Sequence, residues 1–500
     1  MMHVLRALPF ILLAATLSGN TLAQERWITI LHTNDMHATF QPREATWVRQ
    51  TPRPMIGGFP RLQSLIDSIR NAENPVILLD AGDVMTGNPI TDRVYKGAEG
   101  GALFEMMNMM RYAAWAPGNH DLDISQQNLL GLTKIAEFPT LSANLVNDSG
   151  EFPVGNRPYV VIERGGLRIG IIGVISEQLY GLVNQGNLTG LRVLPIETTL
   201  RKYVRELDGR TDLLIALTHQ GAVEDSLLAL RAPGVDIIIG GHSHTRLSRP
   251  WRVNGILIAQ AGSNTEYLGY LRVAVQDDRV TNYEGRLIPT WYKADIPPTT
   301  LTALADSMKA SIDAEYGEVI GRLEGDWVRK DAEQSAIGTY IAEAQRKAVM
   351  ANVAFMNSHG IRKNQAAGPV TKKDLFEILP FRNLLVTFQL TGEQLRRVVA
   401  YYVAKKSTIQ IAGMSATWRK RPEGGVEVLE VLVEGRPVDP TRSYSCVASD
   451  YFIGEAERYL GMPVDRPIYL KATLFETVLA DFKKESPVKP SVLYVIKESK

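Results

Sequence analysis

Five short stretches in the first 245 residues carry groups that bind cations. They read LHTNDMH (Asp35, His37), LLDAGD (Asp83), APGNHDLD (Asn119, His120, Asp123), LTHQG (His219) and GGHSH (His242, His244). Carboxylate, amide and imidazole donors without a thiolate suit Zn, Mn, Fe or Co better than an all-oxygen Ca or Mg cage. The candidate ligands are Asp35, His37, Asp83, Asn119, His219, His242 and His244, more than one tetrahedral ion takes. With one carboxylate shared they fit two divalent ions roughly 3.5–4 Å apart. Asp83 suits the shared position because a carboxylate has lone pairs enough for both. Any one of these histidines alone reads as an ordinary core or surface residue. The chain has 8 His, however, and five of them (His37, His120, His219, His242 and His244) fall at these strand ends, leaving only His3, His32 and His359. His120 is left without a metal role. A cationic imidazole beside such a centre stabilises a phosphoryl group or protonates a leaving alkoxide, and Asp123, three residues on, can orient it. Asp121 is expected to cap the following helix, DISQQNLLGL, or to support the site.

Something must bring these stretches together. Each follows a short apolar run: WITILH, PVILLD, YAAWA, TDLLIALTH and VDIIIGG, with LRIGIIGVIS and GILIAQAG as further runs. Their length and Val/Ile/Leu content predict strands buried on both faces. FPRLQSLIDSIRNA and TTLRKYVRELDG, between them, have helical periodicity. The pattern is a layered α/β domain. In such domains ligands bind beyond the carboxyl ends of the strands, so the five endings are expected to meet at one sheet edge.

The periodicity changes near residue 293. KADIPPTTLTALADSMKASIDAEYG opens on two prolines and continues as a helix, read as a linker with a hinge near Asp306. Helices at SAIGTYIAEAQRKAVM and LTGEQLRRVVAYYVAKK follow, with strands near VAFMN, LLVTFQL, VEVLEVLVEG and SYSCVAS. The expected division is 1–23 leader, 24–292 first domain, 293–317 linker helix and 318–500 second domain.

Composition narrows the class. A hydrophobic share of 45%, a charged share of 22% and a net charge of +1 describe a globular chain with no electrostatic footprint for a nucleic acid polymer. Arg6, the apolar ALPFILLAATL and a small-residue TLA read as a cleaved secretory signal, too short to span a membrane. No membrane anchor is expected after cleavage, and the destination is secreted or periplasmic. Cys446 is the single cysteine, so no internal disulfide is expected.

In this order D-x-H, G-D, G-N-H-D, H and G-H-x-H resemble the calcineurin-like metallophosphatases. GNPITD after Asp83, GGFPRL from Gly57 and the second domain resemble the periplasmic and secreted 5′-nucleotidase/UDP-sugar hydrolase family. The resemblance covers nearly the whole mature chain. It implies a four-layer α/β/β/α metallophosphatase domain joined by a linker helix to a smaller α+β substrate-binding domain. It also implies one ion at Asp35, His37, Asp83 and His244, a second at Asp83, Asn119, His219 and His242, and a catalytic pair, His120 and Asp123.

For the second domain the resemblance implies a substrate pocket. FMNSHGIRKN places Asn357 and Arg362 toward the substrate, with His359 where the family has glycine. LPFRN supplies Phe381, and SDYFIGEAERY supplies Tyr451, as aromatics that stack a base. Glu457 stands for the aspartate that holds the ribose, although the glycine run around it is lost. Arg329 in WVRKDAEQS is the candidate for an arginine near a helix start. Independently, the Arg362 fork matches a phosphate or a vicinal diol, and a stacked base is worth about 1–3 kcal/mol. By residue type alone Phe381 and Tyr451 read as core aromatics.

The expected activity is hydrolysis of nucleoside 5′-monophosphates by a water activated by two divalent transition metal ions (Zn, Mn or Co). The alternatives are a UDP-sugar pyrophosphatase, a 2′,3′-cyclic nucleotide phosphodiesterase, or a non-catalytic nucleotide-binding protein. The partner is a small nucleotide or other phosphate ester.

Overall fold

A computed structural model describes residues 25–499 apart from 156, 233, 406 and 407, so the expected leader lies outside the described residues. Two mixed sheets form the first domain. One holds β1 (Arg26–Thr33), β2 (Val76–Asp80), β3 (Ala114–Trp115), β10 (Tyr267–Gln276) and β11 (Arg279–Pro289), in the order β11-β10-β1-β2-β3. The other holds β4 (Tyr159–Arg164), β5 (Leu167–Ile175), β6 (Leu213–His219), β7 (Ile237–Gly240), β8 (Trp251–Val253) and β9 (Ile256–Ala259), in the order β8-β9-β7-β6-β5-β4. The pairs β1/β2, β2/β3, β5/β6, β6/β7 and β7/β9 are parallel.

Alternation along the strands builds the layers. Ile28 and Ile30 of β1 and Ile77 and Leu79 of β2 turn toward Ile169, Ile171, Ile215, Leu217, Ile237 and Ile239 of the second sheet. Leu31, Leu78 and Trp115 turn the other way, onto Phe59, Leu62 and Ile66 of α1 (Phe59–Ala72) and Phe104 and Met107 of α2 (Gly101–Met109). Val174, Leu214, Ala216 and Ile238 face α4 (Ile196–Leu207) and α5 (Ala222–Ala229). The result is helix, sheet, sheet, helix. The hairpin β10–β11 escaped the sequence reading: YLGYLRVAVQ carries glycine and arginine where a clean alternation would show it.

Thr299 caps α6 (Thr300–Tyr316) through a capping box, and the prolines of residues 297 and 298 lie just before it. Leu301, Ala305 and Ile312 bury against α1 and α2. The expected linker helix is therefore docked on the first domain along its length.

The second domain is α+β and smaller. Its sheet orders β14 (Ile409–Ala412), β12 (Val353–Asn357), β15 (Ser443–Ser449), β13 (Leu384–Thr391) and β16 (Ile468–Thr473), with only β12/β15 parallel. One face packs on α7 (Ala336–Ala348), α8 (Lys372–Ile378) and α12 (Leu474–Glu485). The other packs on α9 (Gly392–Lys405) and the short pair α10 (Asp450–Gly454) and α11 (Ala456–Leu460). Among the described residues no helix is long and apolar enough to cross a membrane.

Candidate metal centre and substrate cleft

The expected convergence occurs. Asp35 and His37 follow β1, Asp83 follows β2, Asn119 follows β3, His219 closes β6, and His242 and His244 follow β7. Asp35, His37, Asp83, His242 and His244 all have positive φ, at 50°, 46°, 57°, 80° and 54°. Such backbone is uncommon for a residue with a Cβ and costs free energy that the surrounding fold must offset. Gly82 has φ 89°, and Gly118 leaves no room for a side chain, since a Cβ there would collide with Oδ1 of Asp83 and Cε1 of His219.

Two groups of donors result: Asp35, His37 and His244, and Asp83, His219 and His242, each with its ligand atoms within 4.8 Å of one another. Nε2 of His37 and Nε2 of His244 face each other at 3.0 Å. Oδ2 of Asp83 lies 3.2 Å from Nε2 of His219 and 4.0 Å from Nε2 of His37, so it touches both groups. Oδ1 of Asn119 stands 3.0 Å from Nδ1 of His242. The backbone amide of His242 donates to Asp35, tying β7 to β1.

The tautomers bear on whether ions fit. Nδ1 of His219 donates to the Ala81 carbonyl at 2.6 Å and Nδ1 of His37 to that of Thr86 at 3.1 Å, which leaves each Nε2 unprotonated, with its lone pair turned toward the donor groups. Nε2 of His219 is buried without a hydrogen-bond partner and faces a carboxylate oxygen. Only positive charge reconciles that arrangement. Without an ion a proton answers it: burial opposes the charge, yet Asp83 pushes His219 up to about 10. Burial would raise Asp35, but His244 and His219 hold it down at about 2. The buried donors thus fit divalent cations, and two His/Asp sites able to bind them are present.

Of the two places expected for Asp121, it takes the support of the site and not the cap. Ser125 caps α3 (Gln126–Ile135), its hydroxyl accepting from the amide of Asn128. Asp121 is buried and accepts from the amides of Asp83, Val84, Met85 and Gly118, at 2.8–3.0 Å. Burial and the neighbouring Asp83 push it up to about 7. It thus pins the Asp83 loop to the Asn119 loop. Nδ1 of His120 donates to Oδ2 of Asp123 at 2.7 Å, and Thr86 donates to the same oxygen at 2.7 Å. Burial disfavours a charged His120, but Asp123 and Asp83 raise its pKa. Thr86 was missed in the sequence, although it lies only three residues beyond Asp83.

The second domain closes over this edge, leaving a cleft of about 1820 Å³. Asn357, the last residue of β12, lines it with a buried Oδ1 that lacks a hydrogen-bond partner. Nη2 of Arg362 lies 3.3 Å from Nε2 of His37, and its guanidinium lies 5.9 Å from the centre of the Phe381 ring. The Phe381 ring is 5.5 Å from that of His120. Tyr451 lines the cleft and donates its hydroxyl to the Gly181 carbonyl of the first domain at 3.0 Å. Arg329 lines it too, held by Asp331 at 3.3 Å.

Glu457 does not reach the cleft. It is exposed on α11, whose Tyr459 faces inward. Two residues along a helix turn the side chain by roughly 200°, so both positions cannot face the same way. Instead Asp450, Arg458 and Tyr459 of this segment line the cleft, none of which the motif comparison singled out.

The two layered sheets and the paired Asp/His groups define the class, a metal-dependent phosphoric ester hydrolase of the metallophosphatase type. Residues 28–246 match the calcineurin-like phosphoesterase family, and residues 319–462 match the 5′-nucleotidase C-terminal domain. Human 5′-nucleotidase is 30% identical over 457 residues, covering 81% of this chain and 78% of that protein. Escherichia coli protein UshA is 27% identical over 93% of this chain and 92% of its own. A 5′-nucleotidase precursor from Thermus thermophilus superposes with a TM-score of 0.81 at 26% identity, over 95% of this chain and 100% of that one. The chain belongs to the 5′-nucleotidase family, in which a calcineurin-like metallophosphatase domain is fused to a 5′-nucleotidase C-terminal domain.

Proposed function

We propose that the protein hydrolyses nucleoside 5′-monophosphates to nucleoside and phosphate. One observation carries this reading: groups from both domains meet at a single point, with Arg362 3.3 Å from His37 and Phe381 5.5 Å from His120. A phosphoryl group at the Asp/His edge therefore lies beside a guanidinium and an aromatic ring suited to its organic part.

Asp35, His37, Asp83 and His244 would hold one ion, and Asp83, Asn119, His219 and His242 the other. Two divalent ions bound there supply positive charge for phosphoryl oxygens and acidify a water toward neutrality. His120, oriented through Nδ1 by Asp123, adds positive charge near the phosphoryl group and donates a proton to the departing alkoxide. Arg362 and Arg329 bind the phosphate oxygens, where a planar fork of donors matches two oxygens at once. Phe381 and Tyr451 take the base between them, and Asn357 offers its free acceptor to the substrate. The organisation is proposed as a leader to residue 23, a catalytic domain over 24–292, the docked helix of 293–317 and a substrate domain over 318–500. Export of the chain is part of the same reading.

The test is steady-state hydrolysis of AMP, UMP, UDP-glucose, a 2′,3′-cyclic nucleotide and 4-nitrophenyl phosphate after reconstitution with Zn, Mn or Co. Monophosphates should give the highest kcat/KM. A clear preference for the pyrophosphate or the cyclic ester would replace this reading with a diesterase, and failure to exceed 4-nitrophenyl phosphate would remove the nucleotide from it.

A further inference from the structure

The cations of the cleft sort into two kinds. Arg43, Arg53, Arg329, Lys363 and Arg382 are each matched by a carboxylate. Among the described residues Arg362, Lys373 and Arg458 line the cleft without an ion pair. Arg362 serves the Asp/His edge, and Lys373 donates to Gln41 across the cleft at 3.2 Å. Arg458 remains. Its guanidinium makes one contact at the limit of a hydrogen bond, 3.5 Å to the Gly181 carbonyl, and lies 5.6 Å from the centre of the Tyr459 ring.

A guanidinium can donate five hydrogen bonds, and leaving that fork almost unused beside a substrate cleft suggests an anionic partner. The surroundings support this. His359 lines the cleft, and partial desolvation of its ring together with the charges of Arg329, Arg458 and Arg362 lowers its pKa, with Asp331 opposing them, so positive charge is in excess there. Two carboxylates of the α10–α11 segment lie on this side and neither forms an ion pair with Arg458: the oxygens of Asp450 meet the amide of Tyr451 at 2.8 Å and Asn184 at 3.5 Å, and Glu455 feels the Arg458 charge without pairing with it. This same segment turns Glu457, the candidate ribose carboxylate, out to solvent. A carboxylate accepts from a diol, whereas a guanidinium donates to an anion. The segment has thus exchanged an acceptor for donors.

We propose that Arg458 receives a second anionic group of the substrate, so that the preferred substrates are nucleoside 5′-phosphates with a further phosphate on the ribose. This rests on the nucleotide reading above and narrows it. In the reaction the oxygen of water bonds to the 5′-phosphorus and the bond from phosphorus to O5′ breaks. O5′ takes a proton, and inorganic phosphate and a nucleoside 3′-phosphate leave.

The experiment compares adenosine 3′,5′-bisphosphate, AMP and 4-nitrophenyl phosphate on the metal-loaded, full-length protein, for the wild type and for Arg458→Ala and Arg458→Lys. Charge-assisted pairing predicts that kcat/KM for the bisphosphate exceeds that for AMP by about tenfold or more. In Arg458→Ala that ratio should fall to near one, mainly through KM, and Arg458→Lys should restore part of it. A ratio near one in the wild type, or one unchanged by Arg458→Ala, overturns the proposal. So does a parallel loss on all three substrates, which would make Arg458 a strut between the domains through Gly181. The two readings fail separately: strong AMP hydrolysis without preference for the bisphosphate sinks only the second, whereas neither nucleotide exceeding 4-nitrophenyl phosphate sinks both.

Discussion

The Asp/His edge of the first domain and the cleft face of the second are built by different means. At the edge the backbone does the positioning: strand ends, left-handed turns at Asp35, His37, Asp83, His242 and His244, and amides gathered by Asp121. On the cleft face, side chains from short helices and loops do it, with Tyr451 and Arg458 both leaning on one carbonyl, Gly181. A site fixed by backbone tolerates little change in residue type, while one fixed by side chains can alter its chemistry by turning a single helical residue in or out. Glu457 and Arg458 are adjacent in sequence and opposite in exposure to the cleft.

Substitutions that set the two regions apart should differ in kind as well as in size. The largest effect is expected for Asp83→Ala, which removes the oxygen that touches both donor groups. Metal content by elemental analysis and turnover should both collapse; two ions retained per chain would contradict the sharing. For His120→Asn, metal content should persist while kcat falls by about 10²–10⁴, and an unchanged kcat would take the imidazole out of the reaction. Asp121→Ala should lower the unfolding free energy by about 2–4 kcal/mol, because several buried amides lose a charged or strongly polar acceptor, and calorimetry checks it. On the other side, Tyr451→Ala should raise KM for AMP about tenfold, the value of one stacked base, and leave 4-nitrophenyl phosphate near its original KM. An equal effect on both substrates would make the ring a structural part of the seam with Gly181. Least of all, Glu457→Gln should alter KM for AMP by less than about twofold, since an exposed carboxylate off the cleft has nothing to lose; a tenfold rise would bring it back to the ribose.

The same contrast explains what the sequence disclosed. LLDAGD, APGNHDLD and GGHSH carry their positions with them, because a buried run that ends in Gly, Asp or His marks where a parallel strand leaves the sheet. α1 runs over Phe59–Ala72 as its periodicity predicts, with proline in its first turn. For Asp121 the sequence left two places open, a cap and support of the site, because acid before a helical pattern reads as a cap; the second holds, through the amide of Gly118 nearby and three amides 36–38 residues away that no local pattern announces. Glu457 misled because a match in residue type does not fix the helical phase, and α11 decides the phase by burying Tyr459. The docking of α6 was hidden likewise: its apolar positions state that something covers them, and only the fold states that α1 and α2 do.

Asp121 has one more effect. Its carboxyl clasps the loops of Asp83 and Asn119 from behind and does not belong to either donor group. The receptor for the cations is therefore held in shape by something that does not leave with them. A chelator should strip such a protein without melting it, and returning the ions should restart it as fast as they diffuse in, with no refolding in between.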